Sequence, residues 1–277
     1  MTAFICETCG AQHEDAEREP ERCVICEDER QYVGWEGQRF TTLERLREQL
    51  HADIREQEPG LSGIGAEPSF AIGQRALLVQ TPGGNVMWDC ISLLDDEIVE
   101  YVRSRGGVAK IAISHPHYYT SMAEWAHVFG ARIYLHAADR QWVTRPDDCI
   151  EFWDGDTLEL EPGITLLRLG GHFPGGAVLH WAAGQDGRAA LLSGDVVTVV
   201  QDRRWVSFMR SYPNLIPLSA VDVQRIVARL APYPFERIYG AWYGRVVMDG
   251  AKDALRRSAD RYLRALEWGF GPPPGEG

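Results

Sequence analysis

The chain is 277 residues long, 45% hydrophobic and 25% charged, with a formal net charge of -12. That length buries about three quarters of the unfolded chain's surface, enough for one large core with a small appendage, and the acidic balance works against non-specific nucleic-acid binding, which needs a basic face. No apolar run approaches the roughly 18 residues that span a bilayer, and the opening MTAFICETCG lacks a charged-then-apolar signal pattern, so the expectation is a cytoplasmic protein with neither nucleic-acid nor membrane partners.

The first element is a pair of C-x-x-C knuckles, Cys6/Cys9 and Cys23/Cys26, thirteen residues apart. In a chain of this size without a signal peptide, such pairs favour a metal over disulfides, because two short knuckles can direct four thiolates at one tetrahedral ion. Zinc in an architectural role is the expectation, with iron and a redox role as the alternative. Cys90 and Cys149 stand alone and read as small hydrophobes.

Thr41-Thr42-Leu43-Glu44 has the form of a capping box, and Leu43, Leu46, Leu50 and Ile54 follow at helical spacing, which predicts one amphipathic helix. Glu58-Pro59-Gly60 through Gly65 reads as a turn-rich linker. Short apolar strands are then expected at Phe70–Ile72, Ala76–Gln80 and Val86–Asp89, a helix near Asp95–Ser104, a strand Val108–Ser114, a helix near Met122–Phe129 and a strand Arg132–Leu135. Further strands fall near Ile164–Leu169, Val178–Ala182 and Ala189–Leu192, with helices near Ala220–Leu230 and Lys252–Trp268, and a frayed tail at Gly271–Gly275. This alternation argues for a layered α/β fold.

Chemistry gathers at the strand ends. The strand Val108–Ser114 runs into His115-Pro116-His117, His172 lies in the glycine-rich segment Gly170–Gly176, and Ser193-Gly194-Asp195 follows the strand ending at Leu192. Their joint occurrence, each just past a strand, points to one metal site built from loops. His13, His51 and His127 read as solvated or partly buried structural histidines, and His136 and His180 as satisfied core residues.

From about Asn85 to Arg245 the sequence resembles the metallo-β-lactamase superfamily: NVMWDC is similar to its strand-Asp motif, SHPHYYT to its His-x-His-x-Asp-His motif, GGHFPGG to its third-histidine loop and SGD to its bridging aspartate segment. The stretch ICETCGAQHEDAEREPERCVIC resembles the rubredoxin-like knuckle of rubrerythrins, with Val24 and Glu27 in place of the usual Pro and Gly. The resemblance implies an αββα sandwich, with His115, His117, His172 and Asp195 as metal ligands and Asp89 as a supporting carboxylate. It divides the chain into a zinc-ribbon or rubredoxin-like knuckle over 1–35, a helix and linker over 36–66, the sandwich over 67–270 and a flexible tail over 271–277. The departures are Tyr119 and Thr120 where the family has Asp and His, and Tyr239-Gly240-Ala241-Trp242-Tyr243-Gly244 where its last histidine lies. They imply a single Zn²⁺ or Fe²⁺.

Two function classes follow. One is a metal-dependent hydrolase of small esters, thioesters, lactones or phosphoesters, with Asp195, Tyr119 and Asp89 at the reacting centre and Tyr118 as a further hydrogen-bond donor. Its substrate is expected to be anionic, gripped by Arg203, Arg204, Arg210 or Arg245 and walled by Trp205, Tyr212, Trp242 and Tyr243. The other is a non-hydrolytic metal protein that keeps the fold for redox, sensing or binding. The sequence leaves a homo-oligomer open.

Overall fold

The computed structural model describes residues 1–267. The chain opens with a small antiparallel sheet of β1 (Thr2–Cys6), β2 (Gln12–Ala16) and β3 (Phe40–Thr41), ordered β2-β1-β3, around the four cysteines. Helix α1 (Leu43–Gln49) follows, capped by the Thr42 side chain, which accepts from Arg45 N. The helix is shorter than its apolar spacing predicts, and its cap is Thr42 rather than Thr41: Leu50 ends it in extended conformation and Ile54 belongs to a strand.

That strand, β4 (His51–Glu58), pairs with β5 (Leu61–Glu67) through a Pro59-Gly60 turn. The linker expected over 58–65 is therefore a hairpin that joins the first sheet. Phe70–Ile72, expected as a strand, is irregular and turns at Ala71-Ile72. Then come β6 (Ala76–Val79), β7 (Val86–Trp88), α2 (Asp96–Ser104), β8 (Lys110–Ala112), α3 (Met122–Phe129), β9 (Arg132–His136) and β10 (Ile150–Trp153), and the sheet runs β10-β9-β8-β7-β6-β5-β4.

The second sheet contains β11 (Thr157–Glu161), β12 (Ile164–Arg168), β13 (Ala177–Trp181) and β14 (Ala190–Gly194). Two short hairpins leave it, β15 (Thr198–Val199) with β16 (Val206–Ser207) and β17 (Met209–Ser211) with β18 (Ile216–Pro217). After α4 (Ala220–Leu230) the chain returns through β19 (Arg237–Gly240) and β20 (Val246–Val247) and ends in α5 (Ala251–Glu267). The order is β11-β12-β13-β14-β19-β20. The helix expected to reach Trp268 and the tail at 271–277 extend outside the described residues.

Alternation along the strands sorts side chains into layers. Leu77, Val79 and Trp88 from one sheet meet Leu166, Leu179, Leu192 and Tyr239 from the other between the sheets. Leu78, Met87, Ile111 and Ile133 face outward under α1, α2 and α3, while Val178, Leu191 and Ile238 face outward under α4 and α5. The result is an αββα sandwich. One buried polar cluster links the two sheets: Glu58 Oε2 lies 2.9 Å from Arg237 Nη1 and takes the Tyr239 hydroxyl hydrogen bond, and the other carboxylate oxygen accepts from Gln185 N at 2.9 Å. No helix among the described residues is long and apolar enough to cross a membrane.

Candidate metal centre

The four cysteine sulfurs lie within 4.8 Å of one another and are buried, with Cys6 Sγ 3.7 Å from Cys26 Sγ and Cys9 Sγ 3.7 Å from Cys23 Sγ. A disulfide would bring sulfurs to about 2.05 Å, whereas a tetrahedron with metal–sulfur bonds of about 2.3 Å has edges of about 3.7 Å. The knuckle therefore fits a tetrahedral ion. Its tight turn requires Gly10, at φ +82, where a Cβ would come within 2.7 Å of Ser92 Oγ.

The second group is assembled from strand ends. After β7 the chain turns at Asp89, whose φ of +59 lies in the left-handed region and whose Oδ1 accepts from Ser114 N at 2.8 Å. This bond pins the loop after β8, where a 3-10 turn at Pro116–Tyr118 places His115 and His117 side by side, ring centroids 5.1 Å apart. After β12, Gly170 and Gly171, both at positive φ, swing His172 onto them, 4.8 Å from His115 and 5.0 Å from His117 between centroids. At the end of β14, Gly194 at φ +52 passes close to Ser114 and Asp89 and turns Asp195 inward, its Oδ1 3.3 Å from His115 Nε2.

The hydrogen bonds fix which nitrogens face inward. His172 Nδ1 donates to the Met209 carbonyl at 3.2 Å, which leaves the lone pair of Nε2 pointing at His117 Nδ1, also 3.2 Å away. Ser114 Oγ takes up His115 Nδ1 at 3.0 Å. His115 Nε2, His117 Nε2, Tyr118 Oη and Asp195 Oδ1 are buried with no hydrogen-bond partner among the described residues. Burial and the neighbouring imidazoles hold His115 well below the usual imidazole range, burial and the His172 charge do the same for His117, and burial lowers His172 to about 4. Burial, then the charge of Asp89, raises Asp195 to about 8. Burial raises Asp89 itself to about 7. Three neutral imidazoles and a carboxyl deprived of water are a donor set short of a cation, so the residues present fit a bound metal ion.

Tyr118, not Tyr119, packs against the centre. Its ring sits 4.6 Å from that of His115, and burial and then the Asp195 charge hold its hydroxyl well above the usual phenol range. Tyr119 is buried in the apolar core under the first sheet, a consequence of the 3-10 turn that rotates successive side chains apart. Its expected place at the reacting centre is corrected accordingly.

The expected arginines scatter. Tyr212, Trp242, Tyr243 and Arg245 line one cleft of about 670 Å³ beside the centre. Arg203 and Arg204 line a separate one, Arg204 paired with Asp202, and Trp205 packs against the guanidiniums of Arg257 and Arg261. Arg210 pairs with Glu29. Tyr212 stands between cleft and centre, donating to the Asp195 carbonyl at 2.6 Å with its ring 5.7 Å from that of His172.

Sequence reasoning missed Arg30 and Asp139. Arg30, from the segment after the knuckle, is held by Asp28 and lays its guanidinium 3.9 Å from the centre of the Phe173 ring. Asp139 accepts from Gly175 N at 2.9 Å, bracing the third-histidine loop, and burial raises it to about 6. Arg30 belongs to no periodic pattern, and Asp139 reads as an ordinary acidic turn residue, so only tertiary structure reveals either. Of the remaining histidines, His136 and His180 bond the carbonyls of Gly155 and Pro234 at 3.0 and 2.7 Å. His127 pairs with Asp147 at 2.9 Å beside Cys149, which also packs as a partly buried side chain against the core under the seven-stranded sheet.

No family model matches the chain. Over 268 residues it is 51% identical to the Bacillus subtilis (strain 168) protein YmaE, spanning 96% of this chain and 97% of that one. The chain belongs to the YmaE family. YmaE itself is described as uncharacterized, so the family membership names no activity. Among solved structures, this YmaE relative superposes on the DIM-1 metallo-β-lactamase crystallised with exposure to ceftazidime, at a TM-score of 0.57 and 14% identity over 78% of this chain and 98% of that one. It also matches a B3 metallo-β-lactamase described as having an active-site glutamic acid, at a TM-score of 0.53 and 17% identity over 83% and 97%. A Cronobacter sakazakii metallo-β-lactamase follows at 0.50 and 20% over 77% and 92%. At such identities the likeness is one of fold: the YmaE-family sandwich has the metallo-β-lactamase architecture.

Proposed function

We propose that the protein is a metal-dependent hydrolase holding a single Zn²⁺ or Fe²⁺ at His115, His117, His172 and Asp195, and acting on a small anionic ester, thioester, lactone or phosphoester. The observation that carries this reading is the convergence of three neutral imidazoles, joined by one carboxyl, at the strand-end edge of a metallo-β-lactamase sandwich, where His117 Nδ1 faces His172 Nε2 and where His115 Nε2 and Asp195 Oδ1 are buried without a hydrogen-bond partner among the described residues. A bound ion there supplies a Lewis acid for a carbonyl or phosphoryl oxygen and brings the pKa of a bound water to about 7. The chain's own residues do the rest. Ser114 and Met209 fix the imidazole rings, Asp89 anchors the His115–His117 loop, and Asp195, where it is not tightly ligated to the ion, would orient the attacking water or take its proton. In the neighbouring cleft Trp242 and Tyr243 supply apolar walls and Arg245 the charge for an anionic group.

A second reading, a metal protein that does not hydrolyse, is favoured by one feature. His115, His117, His172 and Asp195 are 1%, 4%, 0% and 3% exposed, and Tyr212 separates them from the cleft.

Elemental analysis with a substrate screen separates the two. Two metal ions per chain are expected, one of them lost in the double variant His115→Ala/His117→Ala, together with turnover of anionic substrates that weakens in Arg245→Ala. A chain that keeps the second ion and turns over none of the four substrate classes supports the non-hydrolytic reading. Three ions per chain, two of them adjacent, rejects the single-ion site.

A further inference from the structure

We propose that the four-cysteine knuckle forms a wall of the histidine centre through Arg30, and that ion retention at the centre depends on a knuckle folded on its own metal. The inference rests on the metal reading above, and concerns which parts of this chain keep the ion in place.

Two sides of the knuckle reach the centre. On one, Gln12 N donates to the carbonyl of Thr120, just past the His115–Tyr118 turn, while Thr144 Oγ1 donates to the Gln12 carbonyl at 2.7 Å and Ser92 Oγ to that of Gly10 at 2.8 Å. On the other, residues 28–31 are latched to the β17–β18 hairpin. Asn214 Nδ2 bridges the carbonyls of Glu29 and Gln31, both at 2.9 Å, Ser211 Oγ donates to the Arg30 carbonyl at 3.2 Å, and Arg210 pairs with Glu29. The same hairpin supplies the Met209 carbonyl that fixes His172.

Arg30, 6% exposed, fills the space this latch encloses. Its charge is met by Asp28, its flat face covers Phe173 at 3.9 Å and Trp142 at 5.2 Å, and one Nη lies 3.5 Å from the His172 carbonyl. Phe173 in turn packs at 5.0 to 5.4 Å against all three imidazole rings. A buried guanidinium is held by its carboxylate partner and by aromatic faces, and withdrawing either leaves its charge less compensated and its position less fixed. A segment of about thirty residues has too little apolar surface to offset its chain entropy without metal. Loss of the knuckle ion therefore frees residues 28–31 and exposes the donor atoms beneath Phe173 to water. Arg30 acts through Phe173 and the His172 backbone, as a positioning residue.

The test is zinc release from the full, zinc-loaded chain into excess EDTA, with release from the knuckle alone measured in His115→Ala/His117→Ala and subtracted. In Arg30→Ala, with all four cysteines intact, release from the histidine centre is expected to quicken by about tenfold or more, the scale on which partners of metal ligands act, while knuckle release stays at the wild-type rate. Asp28→Asn, which loosens the guanidinium without removing it, moves release the same way by a smaller factor, and Cys23→Ser moves it at least as far as Arg30→Ala. Arg22→Ala, an exposed change on the knuckle, leaves it unaltered. Wild-type release in both Arg30→Ala and Asp28→Asn, or equal acceleration by Arg22→Ala, overturns the proposal. A wild-type chain loaded only in the knuckle removes the metal reading itself and is seen before any release is timed.

Discussion

Glu58 and Arg237 meet between the two sheets, each side chain about 1% exposed, and Tyr239 and the Gln185 backbone complete the carboxylate's partners. Removing one member of a buried ion pair leaves the other charge without compensation, so Arg237→Met is expected to destabilise the protein by about 3–5 kcal/mol in urea denaturation; a loss under about 1 kcal/mol would show that Tyr239 and Gln185 satisfy Glu58 unaided. Asp139 behaves in the opposite sense. Its folded pKa, raised to about 6 by burial, lies above the usual carboxylate value, so the folded state holds the extra proton between the two. Stability falls as pH rises through that window and is flat above it. Asp139→Asn keeps an acceptor for Gly175 N and is expected to be more stable than wild type at pH 7 by on the order of 2 kcal/mol, an advantage that fades as pH falls from about 6 and is gone below about pH 4. A melting-temperature difference unchanged between pH 4 and pH 7 would refute the assignment.

Among the elements, those with strong periodicity are the ones readable in advance. Met122–Phe129 and Ala220–Leu230 form the helices their apolar spacing predicts, and Asp96–Ser104 is entered through Asp95, whose carboxylate accepts from Ile98 N at 2.8 Å. Asp95→Ala is expected to cost about 1 kcal/mol, read by denaturation, with no effect on metal content. The strand β4 was hidden because Leu50 and Ile54 happen to continue the helical spacing of Leu43 and Leu46, while its remaining residues are largely polar. A half-solvated edge strand needs few apolar residues, so pattern alone cannot separate it from a helix end. The hairpins at 198–217 were missed for a different reason: their strands are two or three residues long, too short to show any period.

For the whole molecule, the sequence made legible the sandwich, the four-cysteine cluster and the grouping of His115, His117 and His172, the last because each histidine follows a strand end where motif order and hydrophobic pattern agree. The cluster of Arg30, Phe173 and Trp142 beside them was not legible, since the three come from distant segments and meet only through tertiary contacts. The knuckle's dependence on metal gives a prediction at this scale. In Cys23→Ser the amides of Cys6, Gly10, Cys26 and Glu27, bonded within the knuckle, are expected to lose hydrogen-exchange protection, while those of β6 and β7 keep theirs. Persistent protection across the knuckle would mean that docking on Thr120 and Thr144 suffices to hold it. One further consequence concerns where the first sheet stops. Its last strand, β4, carries Asp53, Arg55 and Glu56, and a neighbouring chain laid along that border would have to strip water from all three. The charges that disguised the strand also make that border a poor template for another molecule's backbone.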